Sequence, residues 1–193
     1  MKVVAFNGSA RKDGNTAALV RMMFEEIEKE GIGTELVQLA GQTVKGCRAC
    51  YRCGENKDGR CVFDDDIVND CIAKMRDADG IVLASPVYFS DVTSEMKALI
   101  DRAGMVGRAN DFMFRRKAGA AVVSVRRGGA IHTFDTINHF FFLEQIIVPG
   151  SIYWNLGLGG KDKQQVLKDE EGERTMRELG RNMAYLIKKL ASK

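Results

Sequence analysis

The sequence has little proline, little net charge and no long apolar run. Its two prolines stand far apart, which excludes a Pro-rich linker protein. The first apolar run, residues 3–6, is too short for a signal peptide, and no run approaches the roughly 20 apolar residues of a membrane span. A charge of +3 without a basic cluster gives no support to nucleic-acid binding. We therefore expect no membrane or nucleic-acid partner, and a single domain over residues 1–193.

Cysteine is the residue present in an unusual pattern. Cys47, Cys50, Cys53 and Cys61 have the spacing C-x2-C-x2-C-x7-C. Because no secretory signal is seen, we expect a reducing cytoplasm, where disulfides are rare, and the cluster predicts a metal site. Structural zinc usually takes two C-x2-C pairs set further apart, so an iron–sulfur cubane fits better, with zinc and plain buried thiols as alternatives. Cys71 lies in a helical pattern and is predicted to be a core thiol.

Apolar runs that alternate with helical patterns define the fold class. The predicted strands cover residues 2–6, 34–39, 80–85, 118–125 and 146–148. Helices are predicted between them and at the carboxyl end; one has Leu19, Met22, Met23 and Ile27 on its buried face. Alternating strands and helices predict an α/β protein, a doubly wound parallel sheet with a helical layer on each face. For five strands we expect the order 2-1-3-4-5.

Two unusual loops are expected to meet at one edge of this sheet. Ligands of doubly wound sheets bind at the carboxyl ends of the strands, where the strand order reverses. In the expected order that point lies between the first and third strands, so residues 8–16 and 86–90 become neighbours. The cysteine segment leaves the second strand at the same edge. The layout therefore predicts a joint site.

The loop after the first strand has the composition of an anion site. It precedes a helix, whose first N–H groups are unpaired and whose dipole favours a negative charge. Ser9, Asn15 and Thr16 add neutral donors and Arg11 a charged one, which suits a phosphomonoester. The loop matches neither the nucleoside-triphosphatase pattern G-x-x-x-x-G-K-[ST] nor the dinucleotide pattern G-x-G-x-x-G. A plain connector is the alternative.

The order of these motifs resembles a known family. Residues 8–16, Gly-Ser-Ala-Arg-Lys-Asp-Gly-Asn-Thr, and residues 85–89, Ser-Pro-Val-Tyr-Phe, resemble the flavodoxin-like NADPH-dependent FMN reductase family. Within it, C-x2-C-x2-C-x7-C resembles the compact cysteine motif of the iron–sulfur flavoproteins. The resemblance covers nearly the whole chain and implies a flavodoxin-like three-layer fold, with the cysteine-rich loop at residues 47–61.

The resemblance also implies site residues. The FMN phosphate would be held by Ser9, Arg11, Asn15 and Thr16. The isoalloxazine would be lined by Pro86, Val87, Tyr88 and Phe89, and its edge approached by Arg126, Arg127 and Gly128; the two arginines depart from the expected loop. A [4Fe-4S] cluster would be carried by Cys47, Cys50, Cys53 and Cys61.

These residues predict a cytoplasmic oxidoreductase that passes electrons between a soluble donor and an acceptor through FMN and the cluster. NAD(P)H as donor, a small redox protein or a small molecule as partner, and a homodimer or homotetramer follow from the resemblance. One alternative is an NAD(P)H-dependent FMN or quinone reductase without a cluster. Others are a non-enzymatic flavodoxin-like electron carrier and a zinc-stabilised scaffold.

No catalytic triad is predicted from the sequence. His132 and His139 are expected to be surface or packing residues. Asp101 and Arg102 are expected to form an ion pair with each other.

Overall fold

A five-stranded parallel sheet forms the centre of the molecule, which a computed structural model describes for residues 1–192. The order β2-β1-β3-β4-β5 confirms the prediction. The strands are β1 (Lys2–Asn7), β2 (Gly33–Gln38), β3 (Gly80–Pro86), β4 (Ala118–Val125) and β5 (Leu156–Leu158). The helices are α1 (Asn15–Lys29), α2 (Arg52–Asn56), α3 (Val68–Asp77), α4 (Ser94–Ala109), α5 (Ala130–Leu143) and α6 (Glu170–Ala191). Over residues 1–192 none of these helices has the length and apolar character needed to cross a membrane.

Each face of the sheet is covered by its own apolar cluster. In β1, Val3 and Ala5 pack with residues of α1 and α6, whereas Val4 and Phe6 pack with residues of α3, α4 and α5. This alternation follows from the strand period of two. Because both faces are buried, the central strands are continuous apolar runs, as expected for a parallel sheet. The predicted helical face of α1 is confirmed, since Leu19, Met23 and Ile27 are fully buried.

The predicted position of the fifth strand was wrong. Ile147 forms only an isolated parallel bridge with Ala118, at the beginning of β4. The strand β5 instead pairs Leu156 with Val123, near the end of β4. Pro149 explains the interruption: it has no N–H to donate and follows the bridge closely, so the chain leaves the sheet there. The more apolar run therefore contributes one bridge, and a Gly-containing segment completes the sheet.

Two side-chain predictions were also wrong. Arg102 pairs with Asp66, and Asp101 pairs with Lys97 at 2.6 Å. Neighbours in a helix point about 100° apart, so adjacent charges seldom meet, whereas residues four apart lie on one face. The three aspartates at residues 64–66 precede α3, and Asp66 is held by its pairing with Arg102.

The aromatic run of α5 is only half buried. Phe140 and Phe141 lie in the core, but Phe142 is 65% exposed and Leu143 is also exposed. The helix begins at Ala130 and ends at Leu143. An apolar stretch of four therefore spans two faces of the helix, and one of them points outward.

Candidate functional site

A cavity of about 400 Å³ lies between the loops that follow β1 and β3, where the strand order reverses. Its lining includes most of the predicted flavin-binding residues: Ser9, Arg11, Asn15, Thr16, Pro86, Val87, Tyr88 and Arg126. The structure therefore brings the two predicted loops together at the predicted edge. Phe89, Arg127 and Gly128 do not line this cavity.

The loop after β1 is fixed by hydrogen bonds to its own neighbours. Ser9 donates its backbone N–H to Asn7 Oδ1 at 3.0 Å, and Ser9 Oγ accepts from the Arg11 N–H at 3.1 Å. Gln38 Nε2, at the end of β2, donates to the Ser9 carbonyl at 2.6 Å, and Thr93 Oγ1, at the beginning of α4, donates to the Gly8 carbonyl at 2.9 Å. The carbonyls are thus turned to the protein side.

The first turn of α1 presents unpaired donors to this cavity. Within residues 1–192 no side chain caps the helix, and its first turn contains no acidic residue. Thr16 Oγ1 and Ser124 Oγ are 2.7 Å apart and can orient each other's hydroxyl. A helix of 15 residues with free N–H groups at this end attracts an anion such as a phosphate.

The cavity also contains residues that the sequence analysis missed. Gly159, Gly160 and Lys161 also line it. Asn15 Nδ2 donates to the Gly160 carbonyl at 3.1 Å, and an Arg11 guanidinium nitrogen donates to the Lys161 carbonyl at 2.6 Å. The Gly-Gly-Lys sequence was the only local signal, because these contacts join residues about 150 positions apart.

The charge of the cavity lining is positive. Its charged residues are Arg11, Arg126 and Lys161, and the residues described there include no carboxylate. The nearest acidic group of the loop, Asp13, is paired with Arg21 at 2.7 Å. The Arg21 guanidinium holds the pKa of the Asp13 carboxyl below its usual value. A dianionic group would therefore meet cations and free N–H groups without a competing negative charge.

The segment after β3 forms a tight hairpin beside the cavity. Tyr88 and Asp91 exchange two backbone hydrogen bonds at 2.8 and 3.0 Å, with Phe89 and Ser90 both at positive φ. This geometry turns the Phe89 side chain fully outward. Gly129, at φ +87°, packs on the hairpin so closely that a Cβ there would lie 2.8 Å from Ser90 Cα.

Arg127 and Gly128 face a different cavity. It has a volume of about 510 Å³ and is lined also by Trp154 and Asp169. Only Arg126 of the predicted loop reaches the cavity over β1 and β3. The loop after β4 therefore divides its residues between two cavities.

The four predicted metal ligands line one small cavity of about 20 Å³. Cys53 is buried, Cys61 half-buried, and Cys47 and Cys50 are exposed. Ala49 and Tyr51 have positive φ, which coils the chain tightly between the first three cysteines. Left-handed backbone at non-glycine residues costs about 1–2 kcal/mol each and is found most often at functional sites.

The thiols of this cavity interact with one another. Burial raises the pKa of the Cys53 thiol; N–H groups of the backbone oppose this, and the nearby Cys61 and Cys47 thiols raise it further. In residues 1–192 as they stand, no three Cys, His, Asp or Glu side chains are arranged around a point that would hold a metal ion. Cys71 lies apart in the core, where burial raises the pKa of its thiol to about 12. It therefore has the predicted character of a core thiol.

A network of buried polar groups anchors the cysteine segment. Asn69, which is buried, accepts from the Cys61 N–H at 2.8 Å and donates to the Cys61 carbonyl at 2.9 Å. Asn110 Oδ1 accepts from the Gly59 N–H at 2.9 Å. Arg102 reaches the segment from α4. Side chains of α3 and α4 thus hold a loop that has little regular structure.

An open cavity of about 680 Å³ lies between the cysteine segment and the Tyr88 hairpin. It is lined by Cys47 and Ala49 of the cysteine segment and by Asp91 and His132 beside the Tyr88 hairpin. His132 Nε2 lies 3.5 Å from Asp91 Oδ2, and both side chains are solvent-accessible. His139, also exposed, lines the same cavity. Both histidines are surface residues, as expected from the sequence.

A parallel sheet in the order 2-1-3-4-5, with an anion-binding loop after β1 and a cavity at the switch point, defines a flavodoxin-like protein. The chain belongs to the NADPH-dependent FMN reductase family, whose model matches residues 1–159. It is a flavin-dependent oxidoreductase. The predicted resemblance to this family is confirmed.

The chain is similar to archaeal proteins named iron-sulfur flavoprotein. One from Methanocaldococcus jannaschii is 38% identical, covering 97% of this chain and 98% of that protein. One from Methanosarcina thermophila is 32% identical, covering 97% of this chain and 95% of that protein. These relatives confirm the predicted likeness to the iron–sulfur subgroup.

A solved structure shares the fold. The enzyme RosB, determined with the bound intermediate 8-demethyl-8-formylriboflavin-5'-phosphate, superposes with a TM-score of 0.79 at 20% identity. The match covers 100% of this chain and 81% of that one. It supports the three-layer architecture.

Proposed function

We propose that this protein binds FMN and a [4Fe-4S] cluster and passes electrons between a soluble donor and an acceptor. When bound, FMN accepts two electrons together and releases them singly, and the cluster carries one electron at a time. The observation that carries the proposal is the open cavity lined both by the cysteine segment and by the hairpin beside the flavin cavity. FMN in the flavin cavity and a cluster in the cysteine cavity would both lie beside this open cavity.

The flavin cavity fits a phosphorylated, planar cofactor. Ser9 of the loop after β1, with Asn15 and Thr16 at the beginning of α1, would hold the phosphate, with Arg11 as counter-charge. Pro86, Val87 and Tyr88 line the same cavity after β3 and would line the ring. Phe89, Arg127 and Gly128 lie outside this cavity. They would contact the ring after a rearrangement of the hairpin and of the loop after β4 on binding. Arg126 is the better-placed residue of that loop.

The cysteine cavity fits a cluster by the chemistry of its donor set. Cys47, Cys50, Cys53 and Cys61 converge on one cavity, and the remaining lining is apolar except for two arginines, Arg48 and Arg102. Thiolate ligands are negative, so arginines are suitable neighbours. The thiols would have to turn inward to share one centre. We propose these four residues as the ligands and exclude Cys71.

We further propose a cytoplasmic homodimer or homotetramer. The cysteines are free thiols, which suits a reducing compartment. Tyr153, Trp154 and Phe142 are large and more than half exposed, and they line one cavity of about 630 Å³. An apolar surface of this kind is typical of a protein contact. We propose that a second copy of this chain covers it. The electron partner is proposed to be a small redox protein or a small molecule.

The proposal is tested by anaerobic mixing with NADH and with NADPH. Flavin absorbance and the reduction of ferricyanide are followed in the purified protein and in Cys50→Ser. We expect bleaching of the flavin with at least one nucleotide, and slower electron delivery to the acceptor in the variant. If Cys50→Ser retains both its iron and its full rate, the two-centre function is wrong.

The same experiment separates the alternatives. A reductase without a cluster bleaches at the same rate whether or not Cys50 is present, and contains no iron. A non-enzymatic carrier shows no direct bleaching by either nucleotide. The family assignment favours the enzyme over the carrier.

A further inference from the structure

Arg102 is a deeply buried charged side chain in the lining of the cysteine cavity. It lies on α4 and is 2% exposed. One guanidinium nitrogen, Nη1, donates to Asp66 Oδ2 and to the Lys45 carbonyl, the latter at 3.2 Å. The other, Nη2, donates to the Phe63 carbonyl at 2.7 Å. All three acceptors lie just outside the segment 47–61 that carries the four cysteines.

These acceptors stand at both ends of the cysteine motif. Lys45 precedes Cys47 by two residues, and Phe63 follows Cys61 by two. A single planar guanidinium therefore joins the two ends of the segment, a geometry that the five fixed donors of arginine allow and a lysine ammonium does not. Arg102 therefore holds the beginning and the end of the cysteine loop together.

One nitrogen of this guanidinium has no hydrogen-bond partner in the described chain. This atom, Arg102 Nε, is buried. A buried donor on a charged group without a partner is costly, so such an atom calls for an explanation. Arg102 lines the same cavity as Cys47, Cys50, Cys53 and Cys61. A sulfur atom in that cavity could accept the hydrogen bond that Arg102 Nε–H does not make within the described chain.

We propose that Arg102 is the positioning residue of the cysteine cavity: it holds both ends of the segment and donates its Nε–H to a sulfur of the bound cluster. This inference rests on the proposed function. Hydrogen bonds to cluster sulfurs and nearby positive charge favour the reduced state and raise the reduction potential. Asp66, buried against the same guanidinium, partly cancels that charge.

The test measures the midpoint potential of the cluster in Arg102→Lys and Asp66→Asn, by an anaerobic titration followed by electron paramagnetic resonance. Arg102→Lys keeps a cation for Asp66 but loses the Nε donor, so the equilibrium constant for reduction should fall at least tenfold, or 59 mV for one electron. Asp66→Asn keeps an acceptor but removes the negative charge, so the potential should rise. Loss of packing alone would move both variants in the same direction.

A matched control and a second measurement complete the test. Arg108→Lys changes an exposed arginine on the same helix. Its equilibrium constant for reduction should stay within threefold of the wild-type value. Transfer of iron to a chelator should be faster in Arg102→Lys, because the loop ends are released. If Arg102→Lys does not hold iron, Asp66→Asn alone decides.

The proposal is overturned if Arg102→Lys holds full iron at an unchanged potential, or if Asp66→Asn leaves the potential unchanged or lowers it. Failure of the proposed function looks different. In that case the wild-type protein purified without oxygen contains no iron, before any variant is compared.

Discussion

The flavin cavity and the cysteine cavity lie at the same edge of the sheet, but they are built differently. The first is formed by the ends of buried strands and the first turn of α1, and its loop is fixed by short hydrogen bonds such as Gln38 Nε2 to the Ser9 carbonyl at 2.6 Å. The second is formed by a segment whose only regular element is α2. It is held by buried side chains, Asn69 and Arg102 among them.

The difference concerns what each cavity still needs. The flavin cavity is open, positive and ready for an anion, because parallel strands and a helix dipole create it wherever this sheet order occurs. The cysteine cavity is small, with left-handed residues and an unpartnered guanidinium nitrogen. We infer that the first site is preformed and that the second is completed by its metal.

The largest effect that would test this difference is expected from Cys50→Ser. Removing one of the four proposed thiolate ligands should abolish the cluster, while FMN binding should be unchanged, because Cys50 does not line the flavin cavity. Iron, acid-labile sulfide and FMN per chain are measured after anaerobic purification. Cys71→Ser, a core cysteine outside the cavity, is the control and should keep its iron. Equal loss of FMN and iron would show that the two regions are not independent.

The second effect is on the flavin cavity alone. Arg11→Ala removes a charged donor, and hydrogen bonds of charged groups are worth about 1.5–3 kcal/mol, so the Kd for FMN should rise by about 10- to 100-fold. Fluorescence titration of the flavin-free protein measures it, and iron content should stay constant. Lys12→Ala changes the adjacent cation, which is outside the cavity lining. An equal loss of affinity in both variants would remove the specific role of Arg11.

The third effect concerns the open cavity between the cysteine segment and the Tyr88 hairpin. Glu144 is buried there with both carboxylate oxygens unpartnered within the described chain, and burial raises its pKa to about 7, which Arg108 only partly opposes. Between pH 4.5 and 7 the folded protein therefore keeps the Glu144 proton, whereas the unfolded chain, in which the carboxyl has its usual pKa of 4.5, releases it. The free energy of unfolding should fall by about 3 kcal/mol as pH rises from 4.5 through 7.

Glu144→Gln tests that loss. The glutamine variant should match the wild type near pH 4 and be the more stable protein at pH 8, as urea denaturation at both values would show. If the free energy of unfolding rises between pH 5 and 8 by the same amount in the wild type and in Glu144→Gln, the buried, protonated carboxyl is contradicted.

The smallest effect is expected at the anchor of the cysteine segment. Asn69→Ala removes the hydrogen bonds to the Cys61 backbone and should lower the free energy of unfolding by about 1–2 kcal/mol. Iron release to a chelator should accelerate, with FMN affinity unchanged. Asn56→Ala, an exposed residue of the same segment, is the control for both measurements. No change in iron release would mean that the anchor does not support the cavity.

The parts of the fold that the sequence predicts are those with a local cause. The strands β1, β3 and β4 are continuous apolar runs because both faces of a parallel sheet are buried, so their bounds are found within a residue or two. The strand β5 has only three residues, beside glycines, whereas the prediction of a strand at residues 146–148 follows from their more apolar composition. Burial pattern alone does not reveal which short segment completes a sheet.

The candidate site divides in the same way. Ser9, Arg11 and the cysteines stand in compact motifs, so their types and spacing predict them. The wall at Gly159–Lys161 and the pairing of Arg102 with Asp66 depend on residues brought together from far along the chain. Phe89 was expected in the cavity from its place in the motif, yet the hairpin turns it outward. Neighbours in space therefore had to come from the structure.

The most direct test of the account is the composition of the protein purified without oxygen. Visible absorption, iron, acid-labile sulfide and FMN are measured on one sample. The account predicts one FMN together with four iron and four sulfide atoms per chain, as a [4Fe-4S] cluster contains. One FMN with no iron, or with zinc in place of iron, would contradict it.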